Sequence, residues 1–132
     1  MKLMTEISVG EFLDKVTILE IKSERITDPA KLENVNRELD ILRRIWAEAA
    51  IDYPGLAEHT AELKAINEKI WQIEDDIRDK ERQQVFDDEF IQLARSVYFT
   101  NDRRAAVKRD INVAVGSNLI EEKSYSDYGS GN

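Results

Sequence analysis

Apolar residues recur at three- and four-residue spacing along most of the chain, and the breaks in that rhythm mark four helical segments. The first opens at Ser8, where Ser8 and Glu11 match the S-x-x-E capping box. It continues through EFLDKVTILEIKSERI to about Ile26. Thr27-Asp28-Pro29 stops it, because a residue before proline is pushed out of the helical region. The same residues start the second helix, with Asp28 as N-cap and Pro29 in the first helical position. Leu32, Val35, Leu39, Leu42, Trp46 and Ala49 give that helix, 29–50, a heptad stripe like that of a coiled coil. Asp52-Tyr53-Pro54-Gly55 is a turn. Leu63, Ile66, Ile70, Ile73 and Ile77 stripe a third helix over 56–84. Asp87 or Asp88 caps a fourth over 89–115, with Phe90, Leu93, Ala94, Val97, Ala105, Ile111 and Val115 inward and Gly116-Ser117-Asn118 as its stop. Thr100-Asn101-Asp102 could instead begin a new helix.

These elements predict an all-α fold, a four-helix bundle dominated by one antiparallel hairpin about 40 Å long at 1.5 Å per residue. The first two helices would pack across that hairpin. Residues 1–120 read as one domain, and 121–132 as a polar, flexible tail in which Tyr125 and Tyr128 could dock. Long heptad stripes on so small a domain suggest a homodimer.

Composition sharpens this picture. With two prolines and five glycines in 132 residues, the chain has too few turn residues for a sheet protein. The net charge of −8 argues against general nucleic-acid binding, which needs a basic surface. Arg95, Arg103 and Arg109 do make a local basic patch on the fourth helix, read first as salt-bridge partners for the acidic third helix. The absence of cysteine excludes disulfides, thiolate metal sites and cysteine nucleophiles. No apolar run suits a signal peptide or a membrane span, so a cytoplasmic protein with no membrane partner is expected.

Catalytic signatures are scarce. One histidine, His59, cannot supply the paired Glu-x-x-His ligands of a di-iron bundle. There is no phosphate-binding glycine loop and no serine elbow. Asp75-Asp76 reads as solvated charge and Asp87-Asp88 as a cap. No cofactor and no metal are expected. Trp46 and Trp71 read as core or interface anchors.

One constellation stands out. On a helical wheel Asn101, Arg104, Lys108 and Asn112 fall at i, i+3, i+7 and i+11, in line with Phe90, Val97 and Val115. An unpaired buried charge costs several kcal/mol, so these residues need compensation. Glu20 and Thr17 lie at or beside the apolar arc of the first helix, and Asn67, Glu74 and Glu81 flank the isoleucine stripe of the third. A carboxylate such as Glu20 or Glu74 opposite Arg104 or Lys108 is one solution. A bound carboxylate or phosphate is another. Snorkelling side chains, or polar seam residues that set register, are a third.

Two resemblances follow. ISVGEFLDKVTILEIKSERI (7–26), ARSVYFTNDRRAAVKRDIN (94–112) and NLIEEKSYSDY near the C-terminus resemble, in matching order, a small bacterial all-helical family of unassigned function. That resemblance implies a link to carbohydrate or surface-polysaccharide metabolism and carries no catalytic residues. INEKIWQIEDDIRDKERQ (66–83) is similar to the first long helix of the all-helical chorismate mutases. Those enzymes bind a dicarboxylate with arginines and lysines inside a bundle, which implies such roles for Arg78, Arg104 and Lys108. Their long N-terminal helix would here fall mid-chain, and their Arg and Lys spacing is not reproduced.

The first functional expectation is therefore a non-enzymatic module that binds a protein partner or itself. The alternative is a small-anion-binding protein or enzyme using Glu20, Glu74, Asn101, Arg104, Lys108 and Asn112. Nucleic-acid binding through the arginines of the fourth helix is a third and less favoured expectation, and whether the protein is an enzyme stays open.

Overall fold

Turn and cap chemistry place the helix ends within one residue of the sequence pattern. The computed structural model describes residues 1–128, which form α1 Val9–Arg25, α2 Pro29–Ala49, α3 Leu56–Gln83 and α4 Asp88–Val115. Among the described residues there is no strand. Asp28 accepts from the Lys31 amide to cap α2, with Pro29 in its first turn. Asp87, not Asp88, caps α4, accepting from the Phe90 amide at 3.0 Å. The helix then runs unbroken through Thr100-Asn101-Asp102 and stops at Gly116, whose φ of 67° is the left-handed conformation that glycine adopts without a Cβ penalty.

The capping box at the start of α1 is only half formed. Ser8 Oγ accepts from the Glu11 amide at 3.1 Å. The Glu11 carboxylate does not turn back to Ser8; it reaches Lys108 on α4 at 2.6 Å. A cation on a neighbouring helix outcompetes a neutral backbone amide for a carboxylate.

α3 and α4, 28 residues each, form the antiparallel hairpin, about 42 Å long at 1.5 Å per residue. α1 lies on it and is the only helix in contact with all three others. The core gathers where α1 meets the hairpin: Leu13, Leu63, Ile66, Val107 and Ile111 are buried, with Val9, Trp46, Leu56 and Ile70 packed around them. Trp46 also stacks on Phe12, while Trp71 lies under the Arg25 guanidinium.

α2 departs from the expected arrangement. It packs along α1 alone and does not cross the hairpin, although Trp46 near its end reaches the core. Only Leu39 of its heptad stripe is fully buried. The stripe fits one helix, and α1 already fills the space over the hairpin. α1 itself spans about 26 Å at 1.5 Å per residue, so the far end of the hairpin is paired helix on helix without a third layer. Phe86 and Ile91 stay exposed there.

Beyond Gly116 the chain turns back as a strap, residues 117–128, along α4. Tyr128 docks as the sequence allowed, its ring against Tyr98 and Phe99 with centroids 5.1 and 4.9 Å away. Residues 129–132 of the expected tail lie outside the described residues. No helix among the described residues is long and apolar enough to cross a membrane.

Candidate functional site

The polar residues that the wheel aligned on α4 do face the bundle, and a second set from α1, α3 and the strap meets them. Gly10 makes this possible. A Cβ there would lie 2.5 Å from the Lys108 carbonyl oxygen, so α1 approaches α4 backbone to backbone. At that crossing Asn112, buried, accepts from the Gly10 amide at 2.7 Å. It satisfies one of the four N–H groups that a helix start leaves unpaired.

One turn earlier on α4, Lys108 is buried among carboxylates. Its Nζ donates to Glu11 at 2.6 Å and to Glu121 of the strap at 2.7 Å, with an Asp14 oxygen at 3.9 Å. Burial alone would pull the lysine pKa down. The carboxylates outweigh it, and the ammonium is held above its ordinary value. Glu121 is pushed the other way, its pKa lowered by the Lys108 hydrogen bond.

Asn67 of α3 links this lysine to the arginine. Its Nδ2 donates to Asp14 at 2.8 Å and to Thr17 at 3.0 Å, and its Oδ1 accepts from Arg104 Nη1 at 3.0 Å. Arg104 Nη2 donates to Asn101 at 2.8 Å. The half-buried guanidinium is thus bonded to two neutral amide oxygens and to no carboxylate. It has five N–H donors, more than these two contacts require.

Arg104 and Lys108 open onto a cavity of about 460 Å³ between α4 and the strap, lined also by Tyr98, Asn101, Asp102, Glu121, Lys123 and Tyr125. This is within the size range of small-molecule sites. Lys123 reaches Asp102 at 3.0 Å, and Tyr128 donates to the other oxygen of the same carboxylate. These contacts lower the Asp102 pKa, and that of the Tyr128 phenol is pushed up to about 12 by its bond to Asp102.

Not every expected residue is here. Asn101, Arg104, Lys108 and Asn112 come together, and Asn67 joins them. Glu20 does not: it pairs with Arg43 of α2 at 3.2 Å. Glu74 pairs with Arg78 along α3, and Arg78 is exposed on that outer face, away from the cavity. The carboxylates that answer Lys108 are Glu11, Asp14 and Glu121 instead, and Arg104 is met by the amides of Asn67 and Asn101. Of the α4 arginines, Arg103 approaches Glu62 of α3 at 3.9 Å, Arg109 pairs with Glu122 of the strap, and Arg95 lies over the Phe99 ring. His59 bonds the Tyr53 hydroxyl at 2.9 Å beside the start of α3. Among the described residues no group of three His, Asp or Glu side chains is placed to hold a metal ion.

A signal for Asp14 was present. Gly10, Asp14 and Thr17 fall at four- and three-residue spacing, so these small and polar residues of α1 share the face that meets the α3–α4 hairpin. Nothing local pointed to Glu121, which sits outside every periodic segment.

The profile of a family described as a family of unknown function, DUF6165, matches residues 1–131. The chain belongs to that family. No curated protein and no solved structure matches it. The match takes in all the residues of the polar cluster, from Glu11 on α1 to Glu121 on the strap.

Proposed function

We propose that the protein binds a small organic anion in the cavity between α4 and the strap, with Arg104 as the main charge partner. The observation that carries this reading is the state of Arg104, a half-buried cation at a cavity wall whose hydrogen bonds go to two neutral amides. A desolvated guanidinium favours a carboxylate or phosphate, which it grips through paired N–H groups. Asn101 fixes the guanidinium, while Tyr98 and Tyr125 supply apolar walls. The link to carbohydrate metabolism that the family resemblance implies puts sugar phosphates and nucleotide sugars among the probes, beside simple carboxylates.

Isothermal titration of the wild type and Arg104→Met with this panel tests the reading. Saturable binding by the wild type that weakens at least tenfold in Arg104→Met is expected. Absence of binding to the wild type, or equal binding by the variant, overturns it.

A second reading, self-association, rests on the uncovered end of the hairpin. Phe86 and Ile91 are about half exposed beside the α3–α4 turn, 53% and 50%, and a second hairpin laid there would complete a four-helix layer. Light scattering after size exclusion would then give a dimer that Ile91→Glu converts to a monomer. A monomeric wild type at micromolar concentration removes this reading.

A further inference from the structure

Three features invite more: the exposed apolar end of the hairpin, the groove beside Glu20 and Arg43, and the strap over the cavity. The strap is the one whose occupant is already visible.

The charges around Lys108 do not balance for an added anion. Around the cavity Arg104, Lys108 and Lys123 contribute three positive charges, while Glu11, Asp14, Asp102 and Glu121 contribute four negative ones. A further oxyanion brought to this cluster would meet net negative charge beside the buried Lys108 and Asp14, which is unfavourable. The conflict disappears if one carboxylate leaves as the ligand arrives. Asp14 cannot leave, since it is buried and held by Asn67. Glu11 stands in the first turn of α1, where the helix dipole favours it. Glu121 is carried by a segment without regular structure.

The strap is also attached by the means that favour exchange. Among the described residues, no backbone hydrogen bond joins 119–128 to a helix. Side chains do the work: Glu121 to Lys108, Glu122 to Arg109, Lys123 and Tyr128 to Asp102. All but the first are ion pairs or hydrogen bonds between exposed or half-exposed groups, and exposed ion pairs are individually weak. The Lys108 side chain is only 9% exposed, so the Glu121 contact is the inner pin.

We infer that the Glu121 carboxylate marks the oxyanion seat of the cavity: a single-ring carboxylate or phosphate ester binds by replacing it on Lys108, and in doing so frees the strap from α4. The inference rests on the anion-binding reading above and gives it a ligand class and a consequence. The ring is set by the cavity, whose volume exceeds what a bare oxyanion fills and whose walls include Tyr98 and Tyr125. Carboxylate and phosphate share the required chemistry, an acceptor oxygen for the lysine and a second for the guanidinium of Arg104. No covalent step is involved.

The test uses the full chain with inorganic phosphate, benzoate and phenyl phosphate, titrated calorimetrically into wild type, Glu121→Gln and Arg104→Met. Amide hydrogen exchange is followed over 117–128. The expected result is that one of the ring compounds binds the wild type more tightly than inorganic phosphate does and accelerates strap exchange. Glu121→Gln, with its competitor neutralised, then binds about tenfold tighter and exchanges its strap quickly even without ligand. If Arg104→Met abolishes binding while Glu121→Gln binds no better than the wild type, or the strap stays protected, the exchange mechanism is wrong and the cavity reading stands. If inorganic phosphate binds as well as the ring compounds, the ring requirement is wrong. If none of the probes binds the wild type or Glu121→Gln, both readings fall.

Discussion

Asn112 caps α1 from another helix, which ties a local structural need to a tertiary contact. Its Oδ1 meets the Gly10 amide in a buried place, so Asn112→Ala leaves that N–H without a partner. We expect a loss of about 1–3 kcal/mol in urea unfolding, the cost of an unsatisfied buried donor. Gly10→Ala should also destabilise, by about 1–3 kcal/mol, because the Lys108 carbonyl that its Cβ would meet is backbone and cannot step aside. The two cations of the cluster should separate in the same assay. Lys108→Met strands the Asp14 carboxylate in a buried site and should cost about 3 kcal/mol, the low end for a broken buried pair because Glu11 and Glu121 are half exposed. Arg104→Met removes a charge that hydrogen-bonds no carboxylate and attracts Glu121 only at longer range, and it should cost much less. Equal losses from both would mean that Arg104 too is a structural cation. At this scale the wheel identified the α4 residues, because a polar residue on an apolar stripe is visible in one dimension. It placed Glu20 and Glu74 wrongly as partners, because the pairing of faces between helices depends on crossing angle and register, which one helix does not contain.

Among the elements, α1 holds the assembly together. It alone touches the other three helices, and α2 is attached through it. Leu39 is the one fully buried residue of α2, so Leu39→Ala should cost about 2–4 kcal/mol. It should do so locally, with amide exchange rising over 29–49 before the hairpin loses protection. Uniform exchange across all four helices would mean that α2 is bound more widely than its contacts indicate. The ends of these helices were legible in the chain because caps, prolines and left-handed glycines act within a few residues. The stance of α2 was not. A heptad stripe states that a helix has one apolar face, and it does not name the helix that covers it.

For the whole molecule, the strap couples the chain's C-terminal part to its charge state. Glu121 and Asp102 both titrate lower in the folded chain than as free side chains. Their contacts therefore hold at neutral pH and are lost as pH falls through those lowered values, below the ordinary carboxylate range. Tyr128 works in the opposite direction. Its phenol keeps its proton up to about 12 when docked, against 10.0 when free, so docking weakens as pH rises between the two. Aromatic ring resonances of Tyr98 and Tyr128 followed by NMR should shift in both windows while helical circular dichroism changes less. Ring shifts that track helix loss throughout would mean that the strap has no independent release.

The helical segments, most of their limits and the polar stripe on α4 follow from residues within one or two turns of each other, and the sequence by itself determined them, though it left open the continuity of α4 through Thr100-Asn101-Asp102 and the choice of Asp87 as its cap. Capping, helix-breaking and amphipathic periodicity are short-range effects. The tertiary structure alone decided that Glu11 leaves its capping box for Lys108, that Asp14 and Asn67 bridge the two cations, and that Glu121 returns from the strap to close the cluster. Those choices are made by Coulomb attraction and desolvation between groups as much as 97 positions apart in the chain, and they exist only once α1 lies against α4.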